Sequence, residues 1–251
     1  MKALKLLVVA MVLLPVARLC VAQAAPDVIA AALADTQRPA DDRAQDAQRK
    51  AAQVLRFSDV RPGDVVVDLM PGSGYYTRLL SRIVGPAGKV YALQPVEMDK
   101  AAPKGLQSLH GFAGKAPYAN VVVLLQPVSA MTLPEPVDLI FTSQNYHDLH
   151  DPFMGSPDIA KLDRGLFEAL KRGGRLIVLD HAATAGSGLR NTDDLHRIDP
   201  ATAKAELLAA GFQLDGESDV LHNPADDHTL GIRDPSLRGH TDRFLLRLRK
   251  P

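Results

Sequence analysis

Five short apolar runs, at residues 65–69, 90–93, 121–125, 139–142 and 176–179, punctuate the middle of the chain. Each is nearly all apolar rather than alternating, the pattern of strands covered on both faces. Between them the apolar spacing turns helical and predicts helices over 75–84, 104–113, 159–171 and 201–210. Asp199 caps the last of these, Pro200 takes its first position and Gly211 closes it. Strands alternating with helices imply an α/β fold with a doubly wound, mostly parallel sheet. Ahead of the first strand, a helical pattern opens at Asp41, puts Ala47, Ala51, Val54 and Leu55 on one face and stops at the Arg61-Pro62-Gly63-Asp64 turn. It is expected to lie as a lid beside the sheet. After Phe212 an extended stretch at 213–221, a long polar loop through Gly239 and a strand at 244–248 follow with no helix between them. That arrangement predicts an antiparallel C-terminal edge pair.

The N-terminus has a different pattern. Two lysines lie within Met1 to Lys5, the run 6–17 is apolar apart from Pro15, and Ala22-Gln23-Ala24 has the form a signal peptidase cleaves. The run is shorter than the roughly 20 residues that span a bilayer. Residues 1–24 are therefore expected to be a secretory signal, 25–60 a helical lead-in and 61–251 the main domain, with the protein periplasmic or secreted and without a stable membrane anchor once the signal is removed. The alternative is an uncleaved amphipathic anchor. Cys20, the single cysteine, falls in the expected leader, so the rest has no disulfide and no thiolate ligand. With Lys+Arg at 29 and Asp+Glu at 29, no cationic surplus points to nucleic acid. Loss of Lys2, Lys5 and Arg18 with the leader leaves the remainder mildly acidic.

Candidate chemistry begins at Asp68-Leu69-Met70-Pro71-Gly72-Ser73-Gly74, which leaves the first strand and opens a helix, the place where an open parallel sheet puts a ligand. Glycines allow close backbone approach, and a helix start offers unpaired N–H groups. Thr77 stands where a dinucleotide-binding fingerprint has its third glycine. The segment resembles the first motif of the class I S-adenosylmethionine (SAM) methyltransferases, with Asp68, Gly72 and Gly74 matching and Met70 in place of the first glycine. The resemblance runs over about residues 60–182. It is greatest to an exported predicted-methyltransferase subgroup with a Tyr-His-Asp-Leu stretch, here Tyr146-His147-Asp148-Leu149. It implies a Rossmann-like methyltransferase fold, SAM as cofactor held by Asp68, Gly72, Ser73, Gly74, Gln94 and Glu97, and a small-molecule nucleophile as methyl acceptor. Two positions depart from the pattern. Gln94 replaces the acid that takes both ribose hydroxyls, with Glu97 as a possible substitute, and Gln126-Pro127 replaces the acid expected near the adenine.

Beyond the fourth strand, Asn145 and Tyr146 are expected to shape the acceptor pocket with His181, and His147 to be the general base, oriented by Asp148 or Asp180. The same stretch, with His150 and Asp151, offers metal-type donors, but its spacing matches no strong zinc pattern and no metal is expected. Arg243, at the entrance of the last strand, has the fork geometry to bind a carboxylate, although arginines in such places are ordinarily solvated. The rival reading is an exported SAM-independent binding protein or enzyme reusing the fold, which would account for Gln94 and Pro127 together.

Overall fold

The computed structural model describes residues 27–251, and the expected leader lies outside the described residues. The helices before the sheet are α1 (Val28–Ala34), α2 (Ala40–Ala44) and α3 (Ala51–Ser58). Then come β1 (Val65–Leu69), α4 (Tyr75–Val84), β2 (Lys89–Pro95), α5 (Val96–Ala101), α6 (Lys104–Phe112) and β3 (Val121–Gln126). The second half holds β4 (Val137–Ser143), α7 (Ile159–Ala169), β5 (Leu170–His181), α8 (Thr192–Leu195), α9 (Pro200–Ala209), β6 (Gln213–Ser218) and β7 (Arg243–Arg249). Among the described residues no helix is long and apolar enough to cross a membrane.

The seven strands form one sheet in the order β3-β2-β1-β4-β5-β7-β6. The first five are parallel, while β7 runs antiparallel to β5 and β6 antiparallel to β7, so the expected edge pair is present. Successive strand residues face opposite sides. Val66, Ile177 and Leu179 enter the core beneath α4, whereas Val67, Leu69, Leu176 and Val178 enter the core beneath α7 and α9. Both faces are covered, which is why the central strands read as unbroken apolar runs.

Three features of the fold position the site. The chain leaves β1 toward β2 on one side and β4 lies on the other, a reversal of winding that opens a crevice beyond the strand ends. Register then brings the ends level, with Leu69 opposite both Leu93 and Thr142. Finally, the antiparallel pairing of β5 with β7 sets Arg243 opposite His181. One expected element differs. The helix read from Asp41 is broken between α2 and α3, with Lys50 in the left-handed region at φ 45°. Tertiary bonds break it: Asp46 accepts from Arg38 and from the Tyr75 hydroxyl, and Lys50 donates to the Val220 carbonyl at 2.6 Å.

Candidate functional site

The loop after β1 is shaped by three residues with positive φ. Met70 occupies the left-handed region at φ 56°, which costs a non-glycine residue about 1–2 kcal/mol. Two hydrogen bonds hold it there: its N–H donates to the Leu93 carbonyl at 2.9 Å, and its carbonyl accepts from Asn145 Nδ2 at 2.7 Å. Its side chain lies in the core with Leu69 and Leu93, so it does not plug the crevice. Gly72 and Gly74 differ in kind. A Cβ on Gly74 would sit 2.7 Å from the Phe112 ring, so packing of α6 demands glycine there. A Cβ on Gly72 would meet nothing within 4 Å, so that turn borders open space.

The polar groups expected to hold a cofactor divide into free and engaged. Asp68 is buried and accepts a 2.6 Å hydrogen bond from the Thr77 hydroxyl. Burial pushes its carboxyl up to about 7 against that bond. It ties β1 to α4. Ser73 has an exposed side chain, and its carbonyl accepts from Ser108 Oγ and Arg78, which anchors the loop to α6 and α4. Glu97 Oε2 accepts from the Val128 N–H at 3.0 Å and Gln126 Oε1 from the Thr132 N–H at 2.7 Å. Glu97 thus braces the loop after β3, which removes one oxygen from the ribose role. Gln94 is 1% exposed and its Oε1 has no hydrogen-bond partner. A buried acceptor without a donor is costly, about 1–3 kcal/mol, and calls for a partner. A ligand hydroxyl would be such a partner, so Gln94 and the space at Gly72 fit a nucleoside cofactor, while the engaged Glu97 and Gln126 leave no charged acceptor free of protein bonds among these positions.

On the β4 side, Asp180 is fully buried and gathers three donors: the His147 N–H at 2.7 Å, His147 Nδ1 at 2.8 Å and the His181 N–H at 2.8 Å. The other ring nitrogen of His147 faces Asp148 Oδ1 at 3.3 Å. Burial opposes charge on this ring, yet the attraction of Asp180 and the hydrogen bonds to Asp148 and Asp180 prevail and raise it to about 10. His147 is therefore an imidazolium near neutral pH, with both nitrogens occupied and 1% exposure. In this arrangement the His147 ring is a latch between two carboxylates, Asp180 at Nδ1 and Asp148 at the other nitrogen. Asp148, for its part, would be raised by burial but is brought down to about 2 by hydrogen bonds from His147 and His196.

Among the metal-type donors, His147, Asp148 and His196 place one atom each within 4.8 Å of one another. His150 is drawn away to Glu206 at 3.2 Å, and His181 Nδ1 lies 2.8 Å from the Thr241 hydroxyl. Asn145 and Tyr146, expected in the acceptor pocket, both make hydrogen bonds within the protein. Asn145 braces Met70 and Ser143 through Nδ2, and the buried Tyr146 hydroxyl lies between Asp163 at 2.9 Å and Glu206 at 3.1 Å.

Among the described residues, two cavities of about 530 Å³ stand out. One is apolar and lies under the β3–β4 crossover, lined by Val67, Leu93, Ile140 and Leu166, away from the strand ends. The other is polar and lies at the strand ends, lined by Gln144, His181, Thr241 and Arg243, by Arg49 from the turn before α3, and by Arg233 and Arg238 from the tail loop. Arg49 also stacks over the Tyr75 ring at 4.4 Å, and Tyr75 directly follows Gly74, so this cavity adjoins the glycine loop. His181 is the one expected site histidine that lines it. Burial, then the cations His147, Arg243 and Arg197, push its pKa well below the usual value, so the ring is neutral. Sequence patterning passed over Arg49, Arg233 and Arg238 because they sit in turns and polar loops, where only the folded chain brings them together.

No family model matches the chain. It is similar to the ubiquinone/menaquinone biosynthesis C-methyltransferase UbiE of Teredinibacter turnerae, at 29% identity over 185 residues that cover 70% of this chain and 67% of that protein. The chain spans about two thirds of the length of such relatives. Among solved structures, fibrillarin of Aeropyrum pernix, with natively bound S-adenosyl-L-methionine, aligns at TM-score 0.53 and 17% identity over 81% of this chain and 76% of that one. The chain has the class I SAM-dependent methyltransferase fold. The curated relatives it resembles are named as methyltransferases, and the solved structures share its fold. The fold is not confined to methyltransferases: the [4+2]-cyclase SpnF aligns at TM-score 0.59 and 19% identity, over 82% of each chain. For this methyltransferase-fold chain the details of chemistry therefore have to come from its own crevice.

Proposed function

We propose that the protein transfers a methyl group from SAM to a small-molecule nucleophile seated in the polar cavity at the strand ends. The single observation that carries this reading is the combination of open space at Gly72 with the orphaned Gln94 Oε1 one strand away, in a methyltransferase fold. The Gly72 turn would border the methionine end and Gln94 Oε1 would accept from a ribose hydroxyl. SAM, when bound, supplies an electrophilic sulfonium methyl. The protein aligns the acceptor and removes its proton. In the tautomer that donates Nδ1–H to Thr241, the neutral His181 ring keeps a lone pair on Nε2, beside the cavity, and that atom takes the acceptor's proton. Asp180 positions both histidines, through the His147 ring and the His181 N–H.

Calorimetric titration with SAM tests this reading. Saturable binding at micromolar concentration is expected, and Gly72→Asp should weaken it at least tenfold without unfolding the chain, since its side chain enters free space and aspartate tolerates the left-handed region. Absence of heat from the folded wild type would favour a SAM-independent ligand in the same crevice. The engaged state of Glu97 and Gln126 supports that second reading.

Export is part of the proposal. It is supported by the apolar run at 6–17 and by Ala22-Gln23-Ala24. N-terminal sequencing of protein from the exported fraction should start at Ala25, and recovery only with Met1 intact would remove the leader from the account. The exported methyltransferase subgroup with its Tyr-His-Asp-Leu stretch is the family context this reading adopts.

A further inference from the structure

We propose that the polar cavity is an anion pocket, and that the small molecule it takes carries a carboxylate or a phosphate. The inference rests on the methyl-transfer reading for the acceptor's role, and on the cavity alone for its charge.

Four guanidinium groups, of Arg49, Arg233, Arg238 and Arg243, converge on this one cavity, and no aspartate or glutamate lines it. Among the described residues none of the four has a carboxylate within 4.0 Å, whereas Arg38, Arg78, Arg175 and Arg197 elsewhere each do. The chain has as many acids as bases, so the segregation reflects placement and not composition.

Arg243 supplies the second, independent observation. It is 7% exposed, and its Nε has no hydrogen-bond partner. Its terminal nitrogen donates only to the Gln48 carbonyl, at 3.3 Å. A buried guanidinium with unused donors is destabilising until an acceptor arrives. Burial, with a contribution from Arg49, lowers its pKa from the usual value, the sign expected of a cation facing other cations. Like charges gathered in a concave site repel one another and focus a positive potential into it. A bound anion reverses that repulsion, and a planar carboxylate or a phosphate matches the guanidinium fork with two parallel hydrogen bonds.

The placement also suits the chemistry. Register sets Arg243 opposite His181, so an acid group held by the arginines lies beside the neutral ring that takes the proton. Arg49 reaches from the segment before α3 and Arg233 and Arg238 from the tail loop, so three separate parts of the chain close around the ligand. The cavity, at about 530 Å³, accommodates an acceptor of metabolite size with its acid group at the arginine end.

The test uses the full chain at constant ionic strength, with inorganic phosphate and succinate as probes and chloride as the balancing salt. Saturable calorimetric binding of phosphate or succinate is expected. Arg233→Gln combined with Arg238→Gln should weaken it at least tenfold, and because both side chains are exposed and make no hydrogen bond or ion pair among the described residues, unfolding midpoints should not move. A separate Arg49→Gln variant should also weaken the probes and keeps the test open if the double variant is poorly behaved. SAM titration runs in parallel. Loss of probe binding with SAM affinity within twofold of wild type supports the pocket. Equal probe binding in wild type and both variants, or none in wild type, overturns it whatever SAM does. Probe binding with no SAM binding sinks the methyl-transfer reading and leaves the anion pocket standing.

Discussion

Asp180→Ala is expected to lower the unfolding free energy by about 3–5 kcal/mol, the usual cost of leaving a buried charge without its partner. The carboxylate is fully buried and accepts from two backbone N–H groups and from the His147 ring. Without it two buried amides lose their acceptor and the His147 imidazolium keeps only Asp148 as a counter-charge, in the core at the end of β5. Urea unfolding would measure the loss, and a change under 1 kcal/mol would show that the latch is not the support described here.

The same pair predicts how that loss depends on pH. His147 titrates near its ordinary 6.5 when unfolded and at about 10 when folded. A raised pKa contributes stability that is complete below 6.5 and disappears as pH climbs through 10. Asp148 works in the opposite sense: held at about 2 against 3.8, it contributes above 3.8 and is lost as pH falls through 2. Asp68 and Asp163, each pushed up to about 7 mainly by burial, add their own decline between 3.8 and 7 in every variant. The difference between wild type and Asp180→Ala removes that shared background. It should be largest near pH 6 and shrink steadily toward pH 10, and a difference independent of pH would mean that His147 is not charged in the folded protein.

Arg197→Met should cost a comparable 3–5 kcal/mol. Arg197 and Asp226 both have 0% side-chain exposure and meet at 2.9 Å. The arginine also donates to the carbonyls of Ala182 and Leu230, while Asp226 accepts from the N–H groups of His228 and Asp242. This one pair therefore pins the tail loop that carries Arg233 and Arg238 to the end of β5. Methionine keeps the packing of the stem but leaves the Asp226 charge sealed in. Adding Asp226→Asn removes that charge and keeps an acceptor for one of the two amides, so the double variant should recover about 1–2 kcal/mol of the loss by urea unfolding. If the double variant is less stable than Arg197→Met alone, the buried charge is not the source of the cost.

Much of the architecture was legible without coordinates, for a reason that is local. A strand covered on both faces must be apolar throughout, and a crossover helix must show one apolar stripe, so β1 to β5 and α4, α6, α7 and α9 announce themselves in the spacing of their own residues. The late pair without an intervening helix declared its antiparallel pairing in the same way. The breaks came where distant partners override local preference. The helix expected after Asp41 yields to the bonds that Asp46 makes with Arg38 and Tyr75, and α5, directly after β2, is too short to show a period.

The site was legible only in part. Asp68, Gly72, Gly74, His147, Asp180 and His181 stand at strand ends, so their neighbourhood follows from the order of elements. Their roles do not, because a role depends on which nitrogen is occupied, which carboxylate is sealed and which cations are nearby. His147 and His181 show this best. As isolated imidazoles they are equivalent, but Asp180 and Asp148 hold the first as a cation while burial and surrounding positive charge keep the second neutral. The sequence by itself determined the sheet, its winding and the place of the crevice, since these rest on hydrophobic periodicity. Only the tertiary structure decided which histidine is held between two carboxylates and that four arginines from remote segments share one cavity, since electrostatics acts through space and is indifferent to separation along the chain.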